Sequence, residues 1–297
     1  MARGLPRVGA TRRVRVGTLS ECISEGRIAS DAMCTFPIGG RCAVTICIAA
    51  ISNWTDGKTE EIVTASDHMV TTGDHTADNV IRKIEPIHAH WHAMFATDGD
   101  ISSADYILDG VRAILREKPA LRVEDVMSTF VSVYKRYLKD EIENSVLAPL
   151  DMTLAQFRRN GLKQLAEKQF TPILNRVNAT STGCEFLVCG FERDGHPCIF
   201  TMSEIGKIRR RDRLGFWAIG SGQATVMSSL FFHQYSRLLG PLPAIYHLCE
   251  AKFMPGTADG VGKCPTSLTS LTVRFDRDKT AIVPELHGPA CLSRVAS

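Results

Sequence analysis

The chain has 297 residues, 44% of them apolar and 23% charged, which is the balance of an ordinary globular protein with room for a sizeable core. That balance excludes fibrous and disordered classes, and no run of about eighteen apolar residues predicts a transmembrane helix. The net charge of +3 is unevenly spread: residues 1–44 hold seven arginines against Glu21, Glu25 and Asp31, a surplus of four, so the remainder carries one net negative charge.

A near-neutral body argues against a nucleic-acid partner. Its one basic cluster, Arg209-Arg210-Arg211-Asp212-Arg213, has the size of a solvated strand end or turn. The ten cysteines include no Cys-x-x-Cys pair, and Cys47, Cys184 and Cys189 lie inside apolar runs, where a thiol behaves as a small buried hydrophobe. This usage predicts a reducing cytoplasm and argues against both disulfides and zinc. No cofactor and no metal are expected, and neither is a membrane partner.

In chain order, residues 1–44 are rich in Gly, Arg, Ser and Thr with little apolar periodicity. They read as a disordered extension, a propeptide or a consequence of start-site choice. The Arg-rich start lacks the apolar core of a secretory leader. Thr45–Ile51 is a β-branched, apolar strand, and Asp56-Gly57 in the loop before Ile62–Ala65 signals a hairpin. A polar segment, His68–Asn79, separates these from Val80–Ile84, read as a third strand, and from a short fourth at Ala93–Ala96. Then the period changes: Ala104, Ile107, Leu108, Val111 and Leu115 recur at helical spacing behind Ser102-Ser103 as N-caps. A second helix runs from Val123 through Tyr137. Residues 138–180 read as a polar helical insertion, broken at Ala148-Pro149, rather than a separate core.

Strands return at Glu185–Gly190 and Pro197–Met202, and Phe216–Ile219 leads into Gly220-Ser221-Gly222. Helices are expected at Ala224–Leu239 and Ala244–Phe253. A hairpin of Thr269–Phe275 and Thr280–Pro284 closes a domain spanning 45–285, and 286–297 reads as a loose tail. Clustered strands and paired helices favour an α+β fold with antiparallel sheets over alternating βαβ units.

Several motifs in this order resemble a proteasome β-subunit. They are Thr45 at the head of an apolar strand, Ser66-Asp67 at the end of the next, Lys83-Ile84 sixteen positions after Asp67, Ser103-Ala104-Asp105 at a helix start, Gly220-Ser221-Gly222, and Asp259-Gly260-Val261-Gly262. The likeness covers about residues 45–275. The chain is more similar still to bacterial stand-alone proteasome-like proteins, through Thr45-x-Cys47-x-Ala49-Ala50, Gly215-Phe216-x-Ala218-Ile219-Gly220-Ser221-Gly222 and Ala251-Lys252 followed by Gly260-Val261-Gly262 and Thr266. The resemblance implies a four-layer αββα sandwich of the N-terminal nucleophile (Ntn) hydrolase type. It also implies a threonine protease or amidase acting on a peptide or small amide, and a homo-oligomeric ring or stack.

It implies roles as well. An N-terminal threonine carries its own base, the α-amine, whose ordinary pKa of about 8 leaves a useful neutral fraction. Lys83 would hold that amine neutral and steady the developing alkoxide, while Asp67 would keep the lysine charged and oriented. Ser221 and Asp259 match positions that hydrogen-bond around the amine, and Gly99 matches, with a small insertion, an oxyanion-hole glycine.

Two features depart from the family. Thr45 follows Val44 rather than a glycine, so its amine is free only after cleavage, or if Val44 is the start codon, a GTG read as Met and then removed. A helper serine of the family is replaced by Gly262. Three alternatives stand beside this reading. A catalytically inactive proteasome-fold structural or interaction subunit would leave Thr45 an ordinary strand residue, Asp67 and Lys83 a plain ion pair, and Gly220-Ser221-Gly222 a plain turn. Cys42 is a second candidate N-terminal nucleophile. His88, His90 and His92 form a metal-like trio on a stretch that also reads as a solvated turn.

Overall fold

The computed structural model describes residues 45–53, 60–68, 70–72, 75–77, 81–97, 101–118, 121–254, 266–275 and 281–292, all within the unit Ile38–Ser297. The expectations for 1–44, for Gly99 and for Asp259 lie outside these residues.

The fold is mixed α+β with two five-stranded antiparallel sheets. Strands β1 (Cys47–Asn53), β2 (Glu60–Asp67), β10 (Phe216–Ile219), β11 (Thr266–Phe275) and β12 (Ala281–Leu292) form the first, in the order β10-β1-β2-β11-β12. The second holds β5 (Ile84–His88), β6 (Trp91–Thr97), β7 (Cys184–Phe191), β8 (Pro197–Met202) and β9 (Ile208–Arg210) in sequence order. A small hairpin, β3 (Val70–Thr72) with β4 (His75–Ala77), stands apart.

Alternation explains how these sheets pack. In β7, Leu187, Cys189 and Phe191 join Met94, Ala96 and Ile199 in a core shared with Cys47, Ala49, Ile51 and Ile62 of the first sheet. The opposite face of β7, with Cys184, Phe186 and Val188, packs against helices α1 (Ile101–Leu115) and α2 (Val123–Ile142) through Leu108, Val126, Phe130 and Val133. Burial on both faces is why β7 and β8 read as continuous apolar runs. Helix α5 (Gln223–Phe232) lies on β10, and α6 (Pro241–Phe253) lies on β1 and β2. Among the described residues no helix is long and apolar enough to cross a membrane.

The helical insertion differs from expectation. After α2 come a π turn at Glu143–Leu147, a 3-10 turn at Ala148–Leu150, α3 (Leu154–Gln164) and α4 (Glu167–Ala179). Ile142, Val146, Leu147, Leu154, Phe157 and Val177 gather into an apolar cluster of their own, with Phe157 stacked on Phe170 at 5.1 Å. A polar surface hid a small core.

Other boundaries moved for local reasons. The third strand begins at Ile84, not Val80, so Lys83 precedes it. Helix α5 stops at Phe232, because Gln234 takes a left-handed conformation (φ 49°) that no helix continues through. The basic cluster supplies β9, and β12 runs to Leu292, past Pro284, where the hairpin was expected to end. β12 is an edge strand, the position in a sheet that tolerates proline.

The histidine trio does not form a ligand set. His88 Nε2 pairs with the Lys118 carbonyl at 2.8 Å, His90 sits in the turn, and His92 is buried inside β6. Burial lowers the His92 pKa to about 4. The unfolded chain therefore binds a proton near the ordinary value of about 6.5 that the folded chain refuses, so stability falls as pH drops from 6.5 towards 4. The cost should reach the order of 3 kcal/mol at pH 4. Denaturant unfolding of wild type and His92→Asn across pH 7 to 4 checks this; a variant with the same acid slope would refute it.

Core packing gives a second expectation. The Phe130 ring contacts Phe186 and Phe200 with centroids 5.7 and 5.9 Å apart, and it is fully buried. Phe130→Ala should cost about 3–5 kcal/mol in the same measurement.

Candidate active site

Cys47 on β1 faces Ser66 on β2, so the residue before β1 and the residue ending β2 meet at one edge of the first sheet. There, Asp67 and Ile46 bond twice. The Asp67 backbone N–H donates to the Ile46 carbonyl and the Ile46 N–H donates to Asp67 Oδ1, both at 3.1 Å. This carboxylate therefore fixes the backbone just after Thr45.

Lys83 comes from the other sheet, immediately before β5. Its Nζ donates to Asp67 Oδ1 at 2.9 Å and to Thr45 Oγ1 at 3.0 Å. The lysine and aspartate side chains are 3% and 4% exposed, so water contributes little to solvating either charge. Each ion must be compensated by the other. Asp67 Oδ2 is also buried and has no hydrogen-bond partner among the described residues.

The far side of Thr45 is held by the glycine turn. Gly220 adopts φ +94°, and a Cβ there would stand 2.2 Å from the Thr45 carbonyl oxygen. Only glycine satisfies both that backbone and that approach. Gly222 N–H donates to the same carbonyl at 3.5 Å. Ser221, by contrast, is exposed, and its hydroxyl has no hydrogen bond among the described residues. The structure thus joins Thr45 and Asp67 through Lys83, which bonds both, and sets Ser221 beside them through its neighbours' backbone.

Three neighbours were not foreseen. Glu185 at the head of β7 lies beside Gly220, and burial raises its pKa, outweighing the opposing influence of the Gly220 N–H and the Arg211 charge. The signal for it was a lone acid entering the apolar run Cys184–Gly190. Arg211 lies 3.4 Å from the centre of the Trp217 ring, a cation–π contact beside the same turn. His68, next to Asp67, is buried with Nε2 against the Ser267 hydroxyl.

The nearest thiol is inert. Burial drives the Cys47 pKa far above the ordinary thiol value, outweighing the opposing pull of Lys83, and its Sγ points at the Phe95 carbonyl at 3.5 Å. Cys189 is pushed up to about 12 by burial as well. Cys42 lies outside the described residues.

No protein-family model matches the chain, and comparison with the curated proteins returns no match.

Because Asp67 and Lys83 compensate each other, removing one leaves a buried charge. Lys83→Met alone should cost about 3–5 kcal/mol, whereas Lys83→Met with Asp67→Asn should recover most of that loss. A double-mutant cycle in urea reads the coupling. Additive single costs would mean that the pair is not energetically joined.

Proposed function

We propose that the chain is a threonine-nucleophile peptide or amide hydrolase built as a four-layer αββα sandwich of the Ntn type. One observation carries the reading: a buried lysine donates simultaneously to the Thr45 hydroxyl and to a compensating carboxylate. The fold is compatible, since the two sheets share one core, α1 and α2 cover one sheet, and α5 and α6 cover the other.

The chemistry follows from those contacts once the bond between Val44 and Thr45 is broken or never made. The freed amine, in its neutral form, accepts the Thr45 hydroxyl proton as Oγ1 attacks the substrate carbonyl. Lys83, already hydrogen-bonded to Oγ1, stabilises the negative charge that develops there, and Asp67 holds Lys83 in place. The tetrahedral intermediate collapses when the amine returns its proton to the leaving nitrogen, which gives an ester on Oγ1 and a free amine product. Water, deprotonated by the same amine, then attacks that ester, releasing the acid and restoring the hydroxyl. Gly99 and Asp259, the other residues assigned to this chemistry, lie outside the described residues. Ser221 is exposed beside the turn that holds Thr45.

The test compares a chain proven by amino-terminal sequencing to start at Thr45 with its variants, on a panel of fluorogenic peptides and small amides. Thr45→Ala should abolish turnover and Thr45→Ser should retain most of it. Lys83→Met, checked for folding by circular dichroism, should lose about 100-fold or more. Full activity in Thr45→Ala would overturn the reading. Silence of the chain that starts at Thr45 would favour the inactive structural subunit.

A further inference from the structure

Away from Thr45, on the helices that back the first sheet, three metal-ligating side chains converge. His233 caps the end of α5, while His247 and Glu250 stand three residues apart on one face of α6. His233 Nε2 lies 3.2 Å from Glu250 Oε2, and His247 Nδ1 lies 3.7 Å from the same oxygen. All three donor atoms fall within 4.8 Å of one another. A tetrahedral zinc ion with ligands at about 2.0–2.1 Å separates those ligands by about 3.3 Å. The 3.2 Å separation matches that figure, and the 3.7 Å separation exceeds it by about 0.4 Å.

The hydrogen bonding at this cluster is incomplete in a way that an ion would complete. Glu250 Oε2 and His247 Nδ1 are both shielded from water and have no hydrogen-bond partner among the described residues, although they face each other and His233. Two imidazole nitrogens and a carboxylate oxygen that face one another without hydrogen-bond geometry offer their lone pairs to one common cation. The imidazole rings lie 5.2 Å apart and tilted by 34°, and the buried Tyr235 ring stands edge-on to His247 at 6.4 Å. At 21–28% exposure, the three side chains leave an entry path from solvent.

We infer that His233, His247 and Glu250 form a three-ligand site for a divalent transition-metal ion of the zinc class, with its fourth position open to water. Two imidazoles and one carboxylate suit a borderline-soft ion better than Mg²⁺ or Ca²⁺, which prefer oxygen. The site uses no cysteine, so cysteine spacing could not reveal it. Bound metal joins the end of α5 to α6. Because α5 follows directly from the Gly220–Gly222 turn, the ion braces the far end of the helix into which that turn leads.

The test uses the full-length, untagged protein, stripped with chelator and titrated with Zn²⁺ by calorimetry and by thermal unfolding. One equivalent should bind and raise the melting temperature. His247→Ala should lose that equivalent or weaken it about 100-fold, and Glu250→Gln should weaken it about 10-fold. The control His88→Ala/His90→Ala should bind as wild type, and X-ray absorption of the bound ion should show a nitrogen and oxygen shell without sulfur. Far-UV circular dichroism of each variant confirms folding, and the conservative Glu250→Gln keeps the test valid if His247→Ala fails to fold. Absence of Zn²⁺ binding by wild type overturns the proposal. So does an equivalent that survives unchanged in His247→Ala or Glu250→Gln.

Discussion

Lys83 lies buried only because Asp67 meets it, and Asp67 lies buried only because Lys83 and the Ile46 N–H do the same for its Oδ1. That interdependence ties together three segments from two sheets: the lead-in to β1, the end of β2 and the approach to β5. Taking two charges from water costs several kcal/mol for each ion, and good geometry with further hydrogen bonds offsets the cost without a large surplus. The pair is therefore better explained by what it positions than by the stability it adds. What it positions is the Thr45 hydroxyl, with an ammonium donor 3.0 Å away.

The surroundings narrow Thr45 further. Gly220 presses against its carbonyl in a backbone conformation closed to other residues, and Gly222 donates to that carbonyl. Glu185 of the second sheet lies beside the Gly220 N–H. The two sheets thus hold Thr45 from opposite sides, the lysine reaching its side chain and the glycine turn its backbone. Cys47, two residues on, is kept unreactive by the same burial.

Much of the fold was legible because it rests on periodicity. Ala104, Ile107, Leu108, Val111 and Leu115 announced α1, and apolar runs announced the strands β1, β7 and β8. The short elements were not legible. β3, β4 and β9 carry few apolar residues, and α5 ends at a backbone turn of Gln234 that no residue preference foretells. Site residues divide the same way. Asp67 and Lys83, sixteen apart with no periodic relation, were singled out through family likeness alone, and the structure pairs them. Glu185 and the pair His247 and Glu250 needed the fold, since the first lies beside a turn 35 positions away and the second meets His233 across a helix boundary. The histidine trio at 88–92 shows the converse, because strand and turn geometry send its members to a carbonyl, a turn and the interior.

The central claim, that the Thr45 hydroxyl becomes a nucleophile beside Lys83, is tested most directly by covalent trapping. A β-lactone probe is incubated with the protein expressed from its own start site, followed by intact mass and peptide mapping of the adduct. The expected result is one acyl group per chain, attached at Thr45 and confined to molecules whose sequence begins there. A chain that begins at Thr45 yet takes no label, or takes it at another side chain, would contradict the claim.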